Sequence, residues 1–363
     1  MNKVLFSLGD GVYPKKTGGM EIFNFYIIKN LSKHFDIYYH ASSKLKHNKG
    51  KHLRYFPLRP SKILAPIQLL ICLIRHYNIK TCVISYSEAH WLIWYIETFI
   101  ATVLKRKYII VVHHGKKPPT NKQNIYNKFF QKASHVIAVS EDIKKNFDKL
   151  YGINCKVIFP LVPFSEAKSS KESLRDKYNI PQDTNTICMV GSIKGMKNPD
   201  TIIEALHSFT KEELRKYKPH VVFAGSGADL EILKEKTAQY NLSKHITFLG
   251  NVPKETVNEI YKLSDFYLIA SDFEGTSVSL LEAMFNKIPI ITSRAPGIVN
   301  TIEEDTECLM FATKDASRLK ECILKYLDNP DMAKQYASQA FKHFHRAYNY
   351  EDVVKAYVQI LND

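Results

Sequence analysis

Short apolar runs alternate with helical patterns almost from one end of this chain to the other, and that alternation restricts it to βαβ units built on parallel sheets. In the first part the runs fall at residues 3–8, 36–40, 80–85, 108–112, 135–139 and 156–159. Between the first two, the stretch 20–34 sets Phe23, Ile27, Ile28 and Leu31 on one helical face, as a helix lying on a sheet requires. From residue 160 to 173 the rhythm breaks into Pro, Ser and charge, the signature of a linker. Alternation resumes with runs at 186–191, 220–225, 245–250, 266–270, 288–292 and a short one at 308–311. The last pattern, 350–361, is helical, with Val353, Val354, Tyr357 and Leu361 on one side. At 363 residues the chain has length for two domains of ordinary size, so two Rossmann-like domains are expected. Their bounds are 1–160 and 174–340, with 161–173 between them.

Charge divides along the same boundary. Residues 1–160 hold 26 Lys and Arg against 8 Asp and Glu, a net +18, and the remainder is −3. A one-sided field of this size suits an anionic partner: an acidic lipid surface, a polyprenyl-phosphate acceptor or a nucleic acid. Two strongly apolar stretches, 63–74 and 91–104, favour the lipid surface, and Lys105, Arg106 and Lys107 close the second of them. Burial against the sheet competes for most of those residues. A nucleic-acid-binding chain would show aromatic and basic residues interleaved in a stripe, and this one does not. Cys72, Cys82, Cys155, Cys188, Cys308 and Cys322 form no Cys-x-x-Cys pair, so neither a disulfide framework nor a zinc site is indicated. With no apolar stretch near the ~20 residues of a membrane span and no signal-peptide pattern at Met1, a cytoplasmic protein, peripheral at the inner face of the membrane, is expected.

The segment 271–284, Ser-Asp-Phe-Glu-Gly-Thr-Ser-Val-Ser-Leu-Leu-Glu-Ala-Met, concentrates the chemistry. Glu274 follows an apolar run, Gly275 permits a tight turn, and Thr276 or Ser277 can cap the helix that begins there. A helix start offers unpaired N–H donors and the positive end of a dipole to a phosphate or diphosphate. Glu282, about 12 Å further along at ~1.5 Å per helical residue, can reach a group beyond that phosphate.

This Glu-x7-Glu pattern in its Glu-Gly and Leu-Leu-Glu-Ala-Met setting, followed by the Pro289 strand and Arg294-Ala-Pro-Gly-Ile-Val, resembles the retaining family-4 glycosyltransferases of the GT-B fold. The resemblance is close over residues 186–312 and loose before them. It implies an α/β architecture of two Rossmann-like domains with parallel sheets facing across a cleft, the first taking the acceptor and the second the nucleotide-sugar donor. The C-terminal helices, about 341–363, would cross back onto the first domain. By the same resemblance Glu282 would hold the ribose, Glu274 the hydroxyls of the donor sugar, and His114 the reacting centre, with His113 as its neighbour. Gly18 and Gly19 would bring backbone near the diphosphate or the sugar, Gly275, Thr276 and Ser277 would form its helix-start cradle, and Asn251 and Val252 would face the base. Lys197 stands at the family's diphosphate-clamping lysine, but Ser192 replaces the family's arginine. Either Lys194 supplies the missing charge or the donor is held differently.

The chain contains no Asp-x-Asp and no His cluster at ligand spacing, so no metal and no cofactor are expected. The activity implied is transfer of a hexosyl or N-acetylhexosaminyl group, with retention, from a UDP-linked donor to a saccharide or polyprenyl-phosphate-linked acceptor in bacterial surface polysaccharide synthesis. The alternatives are a catalytically silent nucleotide-sugar-binding protein and a nucleotide-sugar epimerase of the same fold. The second of these needs acidic and His residues for elimination chemistry.

Overall fold

In the computed structural model, residues 1–8, 19–41, 52–57, 64–86, 91–113 and 123–363 are described. The chain divides into two units, Met1–Pro163 with Asn349–Asp363, and Phe164–Tyr348.

In the first unit the elements are β1 (Lys3–Ser7), α1 (Gly19–Leu31), β2 (Asp36–Ala41), β3 (Leu53–Pro57), α2 (Leu64–Arg75), β4 (Ile79–Tyr86), α3 (Trp91–Val103), β5 (Lys107–Val112), α4 (Gln123–Lys132), β6 (His135–Ala138), α5 (Glu141–Tyr151) and β7 (Lys156–Val157). The strands form one seven-stranded parallel sheet in the order β3-β2-β1-β4-β5-β6-β7. β1 lies between β2 and β4, with Ser7 in register with His40 on one side and Ile84 on the other. The sequence pattern shows no run for β3. It is a five-residue edge strand, Leu-Arg-Tyr-Phe-Pro, with Arg54 and Pro57 exposed and the rest half-buried, so it lacks the continuous apolar signal of a strand covered on both faces.

The second unit runs α6 (Lys171–Lys177), β8 (Asn185–Val190), α7 (Pro199–His207), α8 (Lys211–Tyr217), β9 (Pro219–Ala224), α9 (Leu230–Gln239), β10 (Ile246–Gly250), α10 (Val257–Leu263), β11 (Phe266–Ile269), α11 (Val278–Phe285), β12 (Ile290–Ser293), β13 (Leu309–Phe311), α12 (Ala316–Asp328) and α13 (Pro330–Ala347). Its six-stranded parallel sheet has the order β10-β9-β8-β11-β12-β13. The core is the apolar lining of that sheet, including Ile187, Phe223, Leu268, Ile291 and Phe311, closed by Leu319 and Tyr326 of α12. α13 belongs here, its buried Ala333, Ala337, Ala340 and Phe344 forming one face. The last helix, α14 (Tyr350–Asn362), is part of the first unit. There Tyr357 lies against Phe23 of α1, and Tyr350 accepts a 2.8 Å hydrogen bond from Asn30.

A buried polar cluster sits beneath the carboxyl end of the first sheet. Ser7 donates to Glu97 Oε1 at 2.6 Å, and His40 Nδ1 lies 4.0 Å from the same oxygen. Burial pushes the Glu97 carboxyl up to about 7 and the His40 imidazole down to about 4. The two effects on stability have opposite signs. Glu97 binds its proton more tightly folded than unfolded, so its contribution is full below about pH 4.5 and is lost as pH rises towards 7, by about 3 kcal/mol. His40 contributes above about pH 6.5 and loses that contribution as pH falls towards 4. Glu97→Gln removes the first effect alone, so relative to the natural chain it should gain about 3 kcal/mol between pH 4.5 and 7. Both tryptophans, Trp91 and Trp94, lie on α3, so urea unfolding followed by their fluorescence reads this unit. Parallel pH profiles for the two proteins would refute the assignment.

Candidate functional site

Ligands of open parallel sheets bind outside the carboxyl ends of the strands, where the strand order reverses. In the second sheet that point lies between β8 and β11, and the residues singled out by sequence follow those two strands. After β8 the chain turns at Gly191 into a single 3₁₀ turn, Gly195–Lys197, and after β11 it enters the loop holding Glu274. Glycine is required where these loops meet their neighbours. A Cβ on Gly225, which follows β9, would lie 1.7 Å from the Gly191 carbonyl oxygen. On Gly297 it would lie 2.0 Å from the carbonyl of Glu274, and Gly297 also has φ +81°. The Ala-Pro-Gly turn after β12 thus packs directly on the Glu274 backbone, whose N–H donates to the Pro296 carbonyl at 3.0 Å.

The two loops are stitched together. Asn198 donates to the Ala270 carbonyl at 3.1 Å and to Asp272 Oδ1 at 2.6 Å, while the Asp272 N–H donates to the Met196 carbonyl at 2.9 Å. This holds Lys197 against Glu274, and the two side chains form an ion pair. Ser271 donates a second hydrogen bond to the same Glu274 oxygen at 2.6 Å. Both partners of the pair are largely withdrawn from solvent, at 19% and 10% side-chain exposure, so the ammonium is oriented rather than mobile.

Ser277, rather than Thr276, caps α11, its hydroxyl accepting from the Leu280 N–H at 3.4 Å. Gly275 and Thr276 lie in the turn just before it. One turn into the helix, Glu282 is buried at 4% exposure. Its Oε1 pairs with Lys254, itself buried, and its Oε2 accepts from the Tyr261 hydroxyl at 2.9 Å. Burial raises the Tyr261 phenol well above its ordinary value, so it remains a neutral donor. Asn251, exposed at the end of β10, accepts from Ser226 at 2.8 Å, tying the β9 and β10 loops, and Val252 beside it is half-buried.

Of the residues expected from sequence, Lys197 and Glu274 are brought into contact, with Gly275, Thr276 and Ser277 on the same loop. Glu282 occupies a second cluster on α11. Gly19 is the first residue of α1, and His113 is buried just past β5. Gly18 and His114 lie outside the described residues. Ser192 is half-buried and Lys194 exposed, one residue before the 3₁₀ turn. Lys254 and Tyr261 escape a sequence reading. Lys254 is one lysine among many, marked only by its place four residues after Gly250, and Tyr261 reads as ordinary helix core.

Residues 170–343 match the family model of the glycosyl transferases group 1. The second unit carries a glycosyltransferase group 1 domain. Along its whole length the chain is 26% identical to an uncharacterized glycosyltransferase of Methanocaldococcus jannaschii, spanning 99% of this chain and 98% of that one. A putative teichuronic acid biosynthesis glycosyltransferase of Bacillus subtilis, TuaC, is 27% identical over 53% of this chain and 47% of its own length. Among solved structures, Anabaena HepE in complex with UDP and glucose superposes with a TM-score of 0.83 at 16% identity, covering 100% of both chains. WaaG, a glycosyltransferase involved in lipopolysaccharide biosynthesis, superposes at 0.73 and 15% identity over 98% of this chain and 99% of that one. With its two parallel-sheet α/β units the chain has the GT-B fold. Within this glycosyltransferase domain, the Lys197 and Glu274 pair stands at the switch point of the sheet.

Proposed function

We propose that the chain transfers a sugar, with retention at the anomeric carbon, from a UDP-linked donor to a saccharide or lipid-linked acceptor in surface polysaccharide synthesis. The observation that carries this reading is the pairing of Lys197 with Glu274 beside the capped start of α11. A lysine ammonium has three N–H donors, so one can remain on Glu274 while the others meet diphosphate oxygens. Gly275, Thr276 and the N-terminal turn at Ser277 supply further positive field to the same diphosphate. The free lone pairs of Glu274 then accept from hydroxyls of the donor sugar. Glu282, with Lys254 and Tyr261 holding its two oxygens, takes the ribose hydroxyls on its remaining lone pairs. Asn251 and Val252 lie towards the base.

In the reaction the bond from the anomeric carbon to the diphosphate oxygen breaks, the acceptor oxygen bonds to the same carbon from the same face, and the acceptor proton passes to the departing phosphate. Lys197 and the helix start stabilise the charge that develops on that leaving group, as preorganised electrostatics in place of a metal. By the family resemblance, His114 serves the reacting centre of this scheme, and Gly18 and Gly19 bring backbone near the diphosphate or the sugar. The TuaC and WaaG names, teichuronic acid and lipopolysaccharide biosynthesis, support an acceptor of the surface-polymer kind.

A thermal-shift screen of UDP-, GDP- and ADP-sugars tests the donor assignment, because a bound ligand raises the melting temperature by its own affinity. The UDP-sugar should give the largest rise, undiminished by EDTA. A rise that chelator abolishes would overturn the metal-free scheme, and a larger rise with a GDP- or ADP-sugar would overturn the choice of base.

A further inference from the structure

Two helices of the first unit that pack side by side, α2 and α3, carry apolar stripes on the faces turned away from the core. On α2, Leu69, Cys72 and Leu73 are buried, while Ile67, Ile71 and Ile74 are 47%, 42% and 60% exposed. On α3, Trp94 and Ala101 are buried, while Phe99 and Val103 are 52% and 61% exposed. Spacings of three and four place each set on one side of its helix. Single exposed aliphatic residues are ordinary on a protein surface, but two aligned stripes on helices in contact form a patch.

Charge lies at one end of that patch. α2 leads into β4 and α3 into β5, and these strands are parallel neighbours with Thr81 opposite Lys107. Both helices therefore finish at the amino edge of the sheet. Exposed Arg75, Lys80, Lys105 and Lys107 cluster there, with exposed Tyr77 among them. The acid recorded nearby is the C-terminal residue, whose backbone oxygen accepts from Lys107 at 2.6 Å. Of the described helices, none is long and apolar enough to cross a membrane.

We propose that this α2/α3 face docks on a bilayer rich in anionic headgroups, with the Ile and Phe stripes in the upper acyl layer and the lysine row among the phosphates. A second copy paired about a two-fold along the helices would set two cationic rows against each other. One paired about a two-fold across them would cover the apolar stripes but carry the two rows to opposite ends, whereas an anionic bilayer meets stripes and row together. The face belongs to the first unit and the donor residues to the second, so the proposal does not rest on the transferase reading and can fail without it.

Vesicle sedimentation of the full chain, without donor, tests this. Vesicles of equal parts phosphatidylglycerol and phosphatidylcholine should bind it at least about fivefold better than phosphatidylcholine alone, with a steep loss between about 0.1 M and about 0.5 M salt. Ile71→Glu combined with Phe99→Glu should lower partitioning about tenfold at either salt. Lys80→Glu with Lys105→Glu should lower it as far and flatten the salt dependence. All substituted residues are exposed, and circular dichroism melting checks that each variant folds. If a variant fails to fold, the lipid and salt comparisons on the natural chain still decide. Equal binding to both vesicle types, unchanged binding of the Ile71/Phe99 variant, or a dimer in sedimentation velocity that Ile71→Glu dissociates while no vesicle binds would each overturn the proposal.

Discussion

Glu282→Ala is expected to abolish measurable nucleotide-sugar binding and to destabilise the second unit by about 3–5 kcal/mol, the cost of breaking a buried ion pair from one side. The stability loss follows from what the carboxylate touches. Lys254 and Glu282 are both buried, and Tyr261 shares its hydroxyl between the other Glu282 oxygen and the Ser279 carbonyl, so removal takes the carboxylate away from a buried ammonium while the phenol keeps an acceptor. Binding and stability are separable by a second change. Lys254→Met combined with Glu282→Ala replaces the pair by apolar groups, a substitution that is often close to neutral, and should recover most of the melting temperature. It should not recover donor binding, because no acceptor for the ribose hydroxyls returns. Recovery of both would reduce Glu282 to a structural partner of Lys254. The urea midpoint and the thermal shift with UDP-sugar, measured on all three proteins, give the answer.

The second large effect is on turnover. Lys197→Ala should lower kcat/KM by about 10²–10³-fold, the usual effect of deleting one preorganised donor from the site of developing charge. Glu274→Gln should cost a similar factor by two routes, weaker contacts to the donor sugar and a looser Lys197. Because the two side chains form one ion pair, their losses should not add. The double variant should be only a few-fold worse than the worse single one, measured as a double-mutant cycle on initial rates. Fully multiplicative losses would mean that Lys197 and Glu274 serve the reaction independently.

What could be read before the structure follows burial. Every strand of the second sheet was legible, because runs such as 220–225 and 266–270 are covered on both faces and end at Gly or small polar residues. β3 was not, since an exposed edge strand has no such run. Glu274, Ser277 and Lys197 were legible as positions on loops after strands, but their contact was not. It depends on Asn198 and Asp272 locking two loops 74 residues apart, and no local pattern encodes that. Lys254 was invisible for the same reason, a buried charge being definable only by its partner. The stripes on α2 and α3 show the opposite case. The sequence registered their hydrophobicity, but a helix apolar nearly all round does not say which side meets the sheet. The boundary between α13 and α14 is similar, since both patterns are amphipathic and only packing assigns them to different units.

The most direct test is calorimetric titration of UDP and of the UDP-sugar into the natural chain, Glu274→Gln and Glu282→Ala. If the two carboxylates hold opposite ends of one donor, Glu282→Ala loses both ligands alike, while Glu274→Gln keeps its affinity for UDP and loses only the increment contributed by the sugar. Equal losses for both ligands in both variants, or unaltered binding in either, would contradict that division of labour.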